Sequence, residues 1–184
     1  MTEQNLVFNN VSSLNGESSG MSTSNLVTST LTRQVPYNSY SLYFDGVNDY
    51  IDCGDNDIFS FGNGTTDSPF TLSAWFKADV LSSDNRFVIS KFTTSTQREY
   101  LLELQSGSVS MALCDTSNSS NRITVNHTTG VEFETDRWYH IAFTYDGSAT
   151  TDGADIYVDG VIASTATKTK SLGYVAMGNK TAPL

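Results

Sequence analysis

The chain has 184 residues and a formal net charge of −10, with twenty acids against ten bases, and 62 of its residues are Ser, Thr or Asn. Ten bases in an acidic chain do not build the cationic stripe that neutralises phosphates, which excludes nucleic acid as a partner; no apolar run approaches the ~18 residues of a membrane-spanning helix, so no membrane insertion is expected. The length suits one domain with an appendage, and hydroxyl and amide residues mixed with nine Tyr, ten Phe and two Trp suit pleated strands joined by turns.

Residues 1–40 differ from the rest. They hold eight Ser, six Asn and five Thr, and their only charges are Glu3, Glu17 and Arg33. Met1–Phe8 has neither a cationic nor an apolar leader region and does not read as a secretory signal. Ser12–Ser24 reads as flexible loop, flanked by the apolar patches Leu6-Val7-Phe8 and Leu26-Val27. The expectation is a flexible or extended N-terminal arm over 1–40 that needs a surface to order it, followed by a folded domain over 41–184. Cys53 and Cys114 stand alone in strand-like segments and read as buried thiols rather than a bridge.

From residue 41 the apolar period is two. Ser41–Phe44 and Asp49–Cys53 read as short strands. Phe70–Ala78 is the clearest, with Phe70, Leu72, Ala74, Phe76 and Ala78 on one face and Thr71, Ser73, Trp75 and Lys77 on the other. Arg86–Phe92 follows, and then Glu99–Leu104 turns through Gly107 into Val109–Cys114 as a hairpin. Arg122–His127 comes next. Trp138–Tyr145, apolar on both sides, reads as a central strand. Ala154–Val158 turns at Asp159-Gly160 and returns over Val161–Thr167, and Tyr174–Met177 is the last short strand. No window sustains helical spacing. About ten short strands with turn signals every 8–12 residues predict an all-β, two-sheet antiparallel sandwich.

Four phrases carry a resemblance. Ser41-Leu42-Tyr43-Phe44-Asp45-Gly46-Val47-Asn48-Asp49-Tyr50-Ile51, Phe70-Thr71-Leu72-Ser73-Ala74-Trp75-Phe76-Lys77, Trp138–Gly147 and Ile156-Tyr157-Val158-Asp159-Gly160 stand in order and at spacing over residues 41 to about 178. This set resembles the laminin-G-like, concanavalin-A-like jelly-roll modules. The resemblance implies a two-sheet jelly roll, a fold that serves lectins, adhesins, glycosidase appendages and virion proteins alike. It also implies a closing strand beside the opening one, and the sequence reaches Leu184 without it. The arm or a partner chain is therefore expected to cover the Ser41–Phe44 edge.

The residues offer four kinds of chemistry. Glu132-Phe133-Glu134-Thr135-Asp136 puts three carboxylates on one face of an extended chain. Glycosidases need two carboxylates across a scissile bond, but the order here differs from the Glu-x-Asp-x-Glu of the enzymes it resembles. It reads as a solvated lead-in to Trp138, Glu99 and Glu103 read as a solvent-facing pair, and no enzyme is expected. His127 and His140 are the only imidazoles, and His140 is expected to be a structural histidine bonded within the sandwich. For a cation, turns rich in hard oxygens suit Ca²⁺, and Asp45, Asp49, Asp55 and Asp146 are the candidate ligands. The competing reading makes each a turn or strand-end cap. Where pentraxin-like relatives carry an Asp-Asn pair this chain has Gln97-Arg98, and Arg98 repels a cation. For a sugar, Trp75 beside hydroxyls, Lys77 and Tyr157 are the candidate platform.

The resulting expectation is a non-catalytic structural or adhesion module. In this reading it is a virion accessory protein, a decoration or fibre resembling bacteriophage head or tail accessories. It would dock through Leu6, Val7, Phe8, Leu26 and Val27 of its arm to virion shell proteins or further copies of itself. The alternative is a carbohydrate-binding, lectin-like module of a secreted or cell-surface protein. A glycoside hydrolase is the last of the three readings.

Overall fold

The structure is a computed structural model that describes residues 40–81, 84–94, 96–105, 107–115, 120–127 and 133–184, together with the backbone of 17–19 and 26–28. The chain forms two compact units, Met1–Gly54 and Asp55–Leu184.

The first unit contains four three-residue strands: β1 (Glu17–Ser19), β2 (Leu26–Thr28), β3 (Tyr40–Leu42) and β4 (Tyr50–Asp52). β2 runs antiparallel to β3 with Val27 opposite Ser41, and β1 runs antiparallel to β4 with Ser18 opposite Ile51. β3 thus has an arm strand as its neighbour, in a two-stranded sheet that belongs to neither sheet of the sandwich. Leu6, Val7 and Phe8 lie outside the described residues.

The second unit is the sandwich. One sheet orders β12 (Val161–Ile162), β11 (Ala154–Val158), β10 (Trp138–Tyr145) and β5 (Phe70–Lys77). The other orders β13 (Thr167–Lys170), β9 (Arg122–His127), β8 (Ser108–Cys114), β7 (Gln97–Gln105) and β6 (Arg86–Thr94). All pairs are antiparallel, and among the described residues no α-helix occurs. Alternation decides which side chains face the other sheet. Tyr139, Ile141, Phe143 and Tyr145 of β10, Ala154, Ile156 and Val158 of β11, and Tyr100, Leu102, Val109, Met111, Leu113, Ile123 and Val125 of the second sheet meet in one core. Leu72, Ala74 and Phe76 of β5 pack against that core on the face their spacing predicts. Each such aromatic or branched residue contributes roughly 1.5–3 kcal/mol by leaving water. Phe70 stacks on Phe61 with centroids 4.2 Å apart.

The Asp159-Gly160 turn has φ of 49° and 80°, the left-handed pair a two-residue hairpin requires, and Asp159 Oδ1 accepts the His140 amide at 2.9 Å. The return strand β12 stops after two residues, and the chain crosses to the other sheet as β13.

Three expectations are corrected. Tyr174–Met177 is not a strand, because its backbone is held by side chains and by loop backbone groups. Asp115 accepts the Val175 amide, Asp67 accepts the Met177 amide, and the Gly64 amide donates to the Met177 carbonyl. Glu99 is not solvent-facing; its side chain is wholly buried against Lys91. β6 and β7 lose register between Lys91 and Phe92 and again before Thr94, and the irregularity releases Glu99 from the outward parity of Leu101 and Glu103. His140 is not bonded inside the sandwich. Alternation sends Tyr139 and Ile141 inward and leaves the His140 ring on the outer face, 5.1 Å from Trp75.

Candidate functional site

The outer face of the five-stranded sheet carries a groove of about 300 Å³. Its floor follows from strand parity. With Leu102, Leu104, Met111, Leu113, Ile123 and Val125 committed to the core, the alternate residues Leu101, Ala112 and Thr124 fall in one outward row, and Glu103, Ser110 and Asn126 in the next. Ser110 Oγ donates to Asn126 Oδ1 at 2.6 Å, which fixes the amide. The wall comes from β6, whose register shifts turn both Phe87 and Phe92 toward the groove, with ring centroids 5.8 Å apart. Phe87 is 48% exposed, a large apolar ring left open to solvent. At one end Gln105 donates to Asn85.

At the other end are two arginines. The Arg98 guanidinium lies over the Phe92 ring at 4.5 Å, and its Nε is buried with no hydrogen-bond partner. Arg122 lies opposite Cys114 in register. Burial pushes the Cys114 thiol above its ordinary pKa, and both guanidiniums pull it back, so both act on the same point of the sheet. Burial likewise raises Glu103 above the usual carboxylate range, opposed by Arg122. Glu103 is the sole carboxylate among the described residues that line the groove. The groove as built offers an aromatic wall, fixed amides and hydroxyls, and a fork of guanidinium donors.

The family model of the concanavalin A-like lectin/glucanases superfamily (Laminin_G_3) matches residues 44–182. The chain belongs to this superfamily. No curated protein sequence matches it. Among solved structures, this jelly roll is similar to the binding domain of Paraclostridial Mosquitocidal Protein 1. That similarity has a TM-score of 0.53 and 14% identity, over 72% of this chain and 31% of that one. A native heptameric SAP-like pentraxin from Limulus polyphemus aligns with a TM-score of 0.40 and 14% identity, over 68% of this chain and 58% of that one. The first likeness is one of fold, and the chain spans less than two thirds of the length of either.

Among the described residues, none of the sequence-predicted ones lines the groove. Trp75, Lys77 and Tyr157 lie on the opposite sheet. Trp75 is 47% exposed and faces His140 across the strand pair, Lys77 faces Trp138, and Tyr157 is two strands from β5, in the row of Ser73 and Ala142. The aspartates are employed by their own turns or by a lysine. Asp45 Oδ1 accepts the Val47 amide at 2.8 Å, Asp49 Oδ2 accepts the Asp45 amide at 3.0 Å, and Asp146 Oδ1 accepts the Ser148 amide at 2.8 Å. Hydrogen bonds from Ser148 hold Asp146 below the ordinary carboxylate pKa. Asp55 Oδ1 accepts from Lys91 Nζ at 2.8 Å. Among the described residues no three acidic, His or Cys side chains converge as a metal site would require. Glu134 and Asp136 are exposed, while Glu132 lies outside the described residues.

Sequence reasoning missed the groove. From the sequence Arg98 reads only as a residue that repels a cation. The available signal was the alternation of Ser110, Ala112 and Cys114 with buried neighbours on β8, together with Thr124 and Asn126 on β9, a row of small and polar side chains on a sheet face flanked by Phe87 and Phe92.

Proposed function

We propose that this superfamily member is a non-catalytic glycan-binding module whose ligand lies in the groove on β6–β9. The observation that carries the reading is the convergence of Phe87, Glu103, Ser110, Asn126 and the two arginines on one open cavity of about 300 Å³. Small-molecule sites are concave, of this size or larger, and mix apolar walls with a few placed polar groups. An exposed ring stacks on the apolar face of a pyranose, and planar amides and carboxylates meet its hydroxyls in pairs. Binding to a glycan array that is lost in Phe87→Ala and kept in Trp75→Ala supports the groove. The reverse pattern would move the site to the Trp75 face, and no binding to any glycan would reject the reading.

For the setting in which the module works, our reading is display on a particle. The chain would be a virion accessory protein docked through residues 1–40 to shell proteins or to further copies. The support is the nearly uncharged composition of the arm and the capacity of Leu26–Thr28 to pair as a strand, here with Tyr40–Leu42 of the same chain. Stoichiometric recovery of the chain with purified particles, lost when residues 1–40 are deleted, is the expected result. Recovery from a cell surface instead would favour a surface lectin.

A further inference from the structure

The groove carries charge opposite in sign to that of the protein. The chain is −10 overall, yet the groove lining holds two arginines against the single Glu103. Among the described residues the other arginines are ion-paired, Arg86 with Asp84 and Arg137 with Glu134 and Asp159. Arg98 and Arg122 form no ion pair with any described carboxylate. Arg98 is moreover held in place without being satisfied. Its guanidinium lies over Phe92, and its Nε is buried with no acceptor. A guanidinium fixed by an aromatic ring keeps its planar edge free, and that edge matches the two oxygens of a carboxylate or sulfate.

We infer that the Arg98–Arg122 end of the groove clamps one anionic group of the glycan, a carboxylate or a sulfate ester, while the neutral hydroxyls of the same glycan meet Glu103, Ser110 and Asn126. The inference rests on the groove being the glycan site, and it names the class of glycan. Glu103 sets the pattern of charge along that ligand. It faces Phe87 and Ser110 further along β7, where a carboxylate accepts from sugar hydroxyls and repels a second anion. A glycan with one acidic residue beside neutral ones therefore fits, and a polymer charged at every residue does not.

The test is an array of matched oligosaccharides in which each neutral chain stands beside a singly carboxylated, a singly sulfated and a fully charged version. It is probed with the full chain and with Arg98→Gln, Arg98→Lys and Arg122→Gln. The expected result is tightest binding to one or both singly charged versions, weakened about tenfold or more by either glutamine variant, by Arg98→Lys, which keeps the charge but not the fork, and by raised salt. The carboxylated and sulfated arms identify which anion is recognised. Arg122 is exposed, so its variant keeps the test alive if Arg98→Gln fails to fold. Equal binding of neutral and charged versions, or arginine variants that bind as the parent does, overturns this inference and leaves the groove as a neutral-glycan site. Tightest binding to the fully charged version overturns the role of Glu103. An array with no bound glycan overturns the groove reading and this inference together.

Discussion

Replacing Lys91 by methionine removes a buried charge while keeping the length of the stem. Lys91 Nζ donates to Asp55 Oδ1 at 2.8 Å and to the carbonyls of Lys180, at 2.9 Å, and Ala182, and it lies 3.3 Å from Glu99 Oε1. The side chains of Lys91 and Glu99 are both 0% exposed. After the substitution Glu99 keeps the Ser60 hydroxyl and the Lys180 amide as donors but has no buried counter-charge, and two carbonyls of the C-terminal segment lose their donor. Breaking a buried pair from one side costs about 3–5 kcal/mol, a fall in Tm of roughly 6–20 °C for a chain of this length. The pH dependence has a definite sign. Burial raises Glu99 above its ordinary pKa, and Lys91 is among the groups that hold it down, so removing Lys91 raises it further. Between the ordinary and the raised value the folded state holds a proton that the unfolded state lacks, and stability therefore falls as pH rises through that window. The loss in Lys91→Met is consequently larger at pH 7 than at pH 5. Urea unfolding followed by tryptophan fluorescence at both pH values measures it, with Lys91→Met/Glu99→Gln regaining most of the loss. A loss under about 1 kcal/mol at pH 7, or one that does not shrink at pH 5, refutes the reasoning.

Asp67 accepts the hydroxyls of Tyr145 and Tyr174, at 2.7 and 2.8 Å, and the Met177 amide, so Asp67→Ala is expected to cost about 2–4 kcal/mol in denaturant titration. Burial and the Asp67 carboxylate push both tyrosines well above their ordinary pKa. In an alkaline absorbance titration these two of the nine tyrosines should stay protonated until the chain unfolds, and stability should be intact below pH ~10 and fall above it. Gly62→Ala would drive a Cβ into the Met177 carbonyl oxygen, a backbone atom, and should lower stability by about 1–3 kcal/mol. An unchanged melting midpoint would show that the 174–177 segment yields there.

The strands of the sandwich could be read almost to the residue, because burial on a pleated strand alternates with period two and that alternation is local. Phe70, Leu72, Ala74 and Phe76 were placed on the core side from spacing alone, and the Asp159-Gly160 hairpin from turn chemistry; both stand in the structure. Local rules failed where the neighbours are distant in sequence. Tyr174–Met177 alternates like a strand, but its amides are taken by Asp115 and Asp67, about 60 and 110 residues away, so it joins no sheet. Glu99 looked solvated because parity places it with Glu103, and only the irregular pairing of β6 with β7, together with the Lys91 ammonium, makes its burial tolerable. The groove is the extreme case. Phe87 and Phe92 come from β6, Arg98 and Glu103 from β7, Ser110 from β8, and Arg122 and Asn126 from β9. Composition and alternation therefore determine that this chain builds a two-sheet jelly roll. The place where it can hold a ligand is decided by register shifts and by side chains from four strands, because a cavity is a property of surfaces brought together and no one segment contains it.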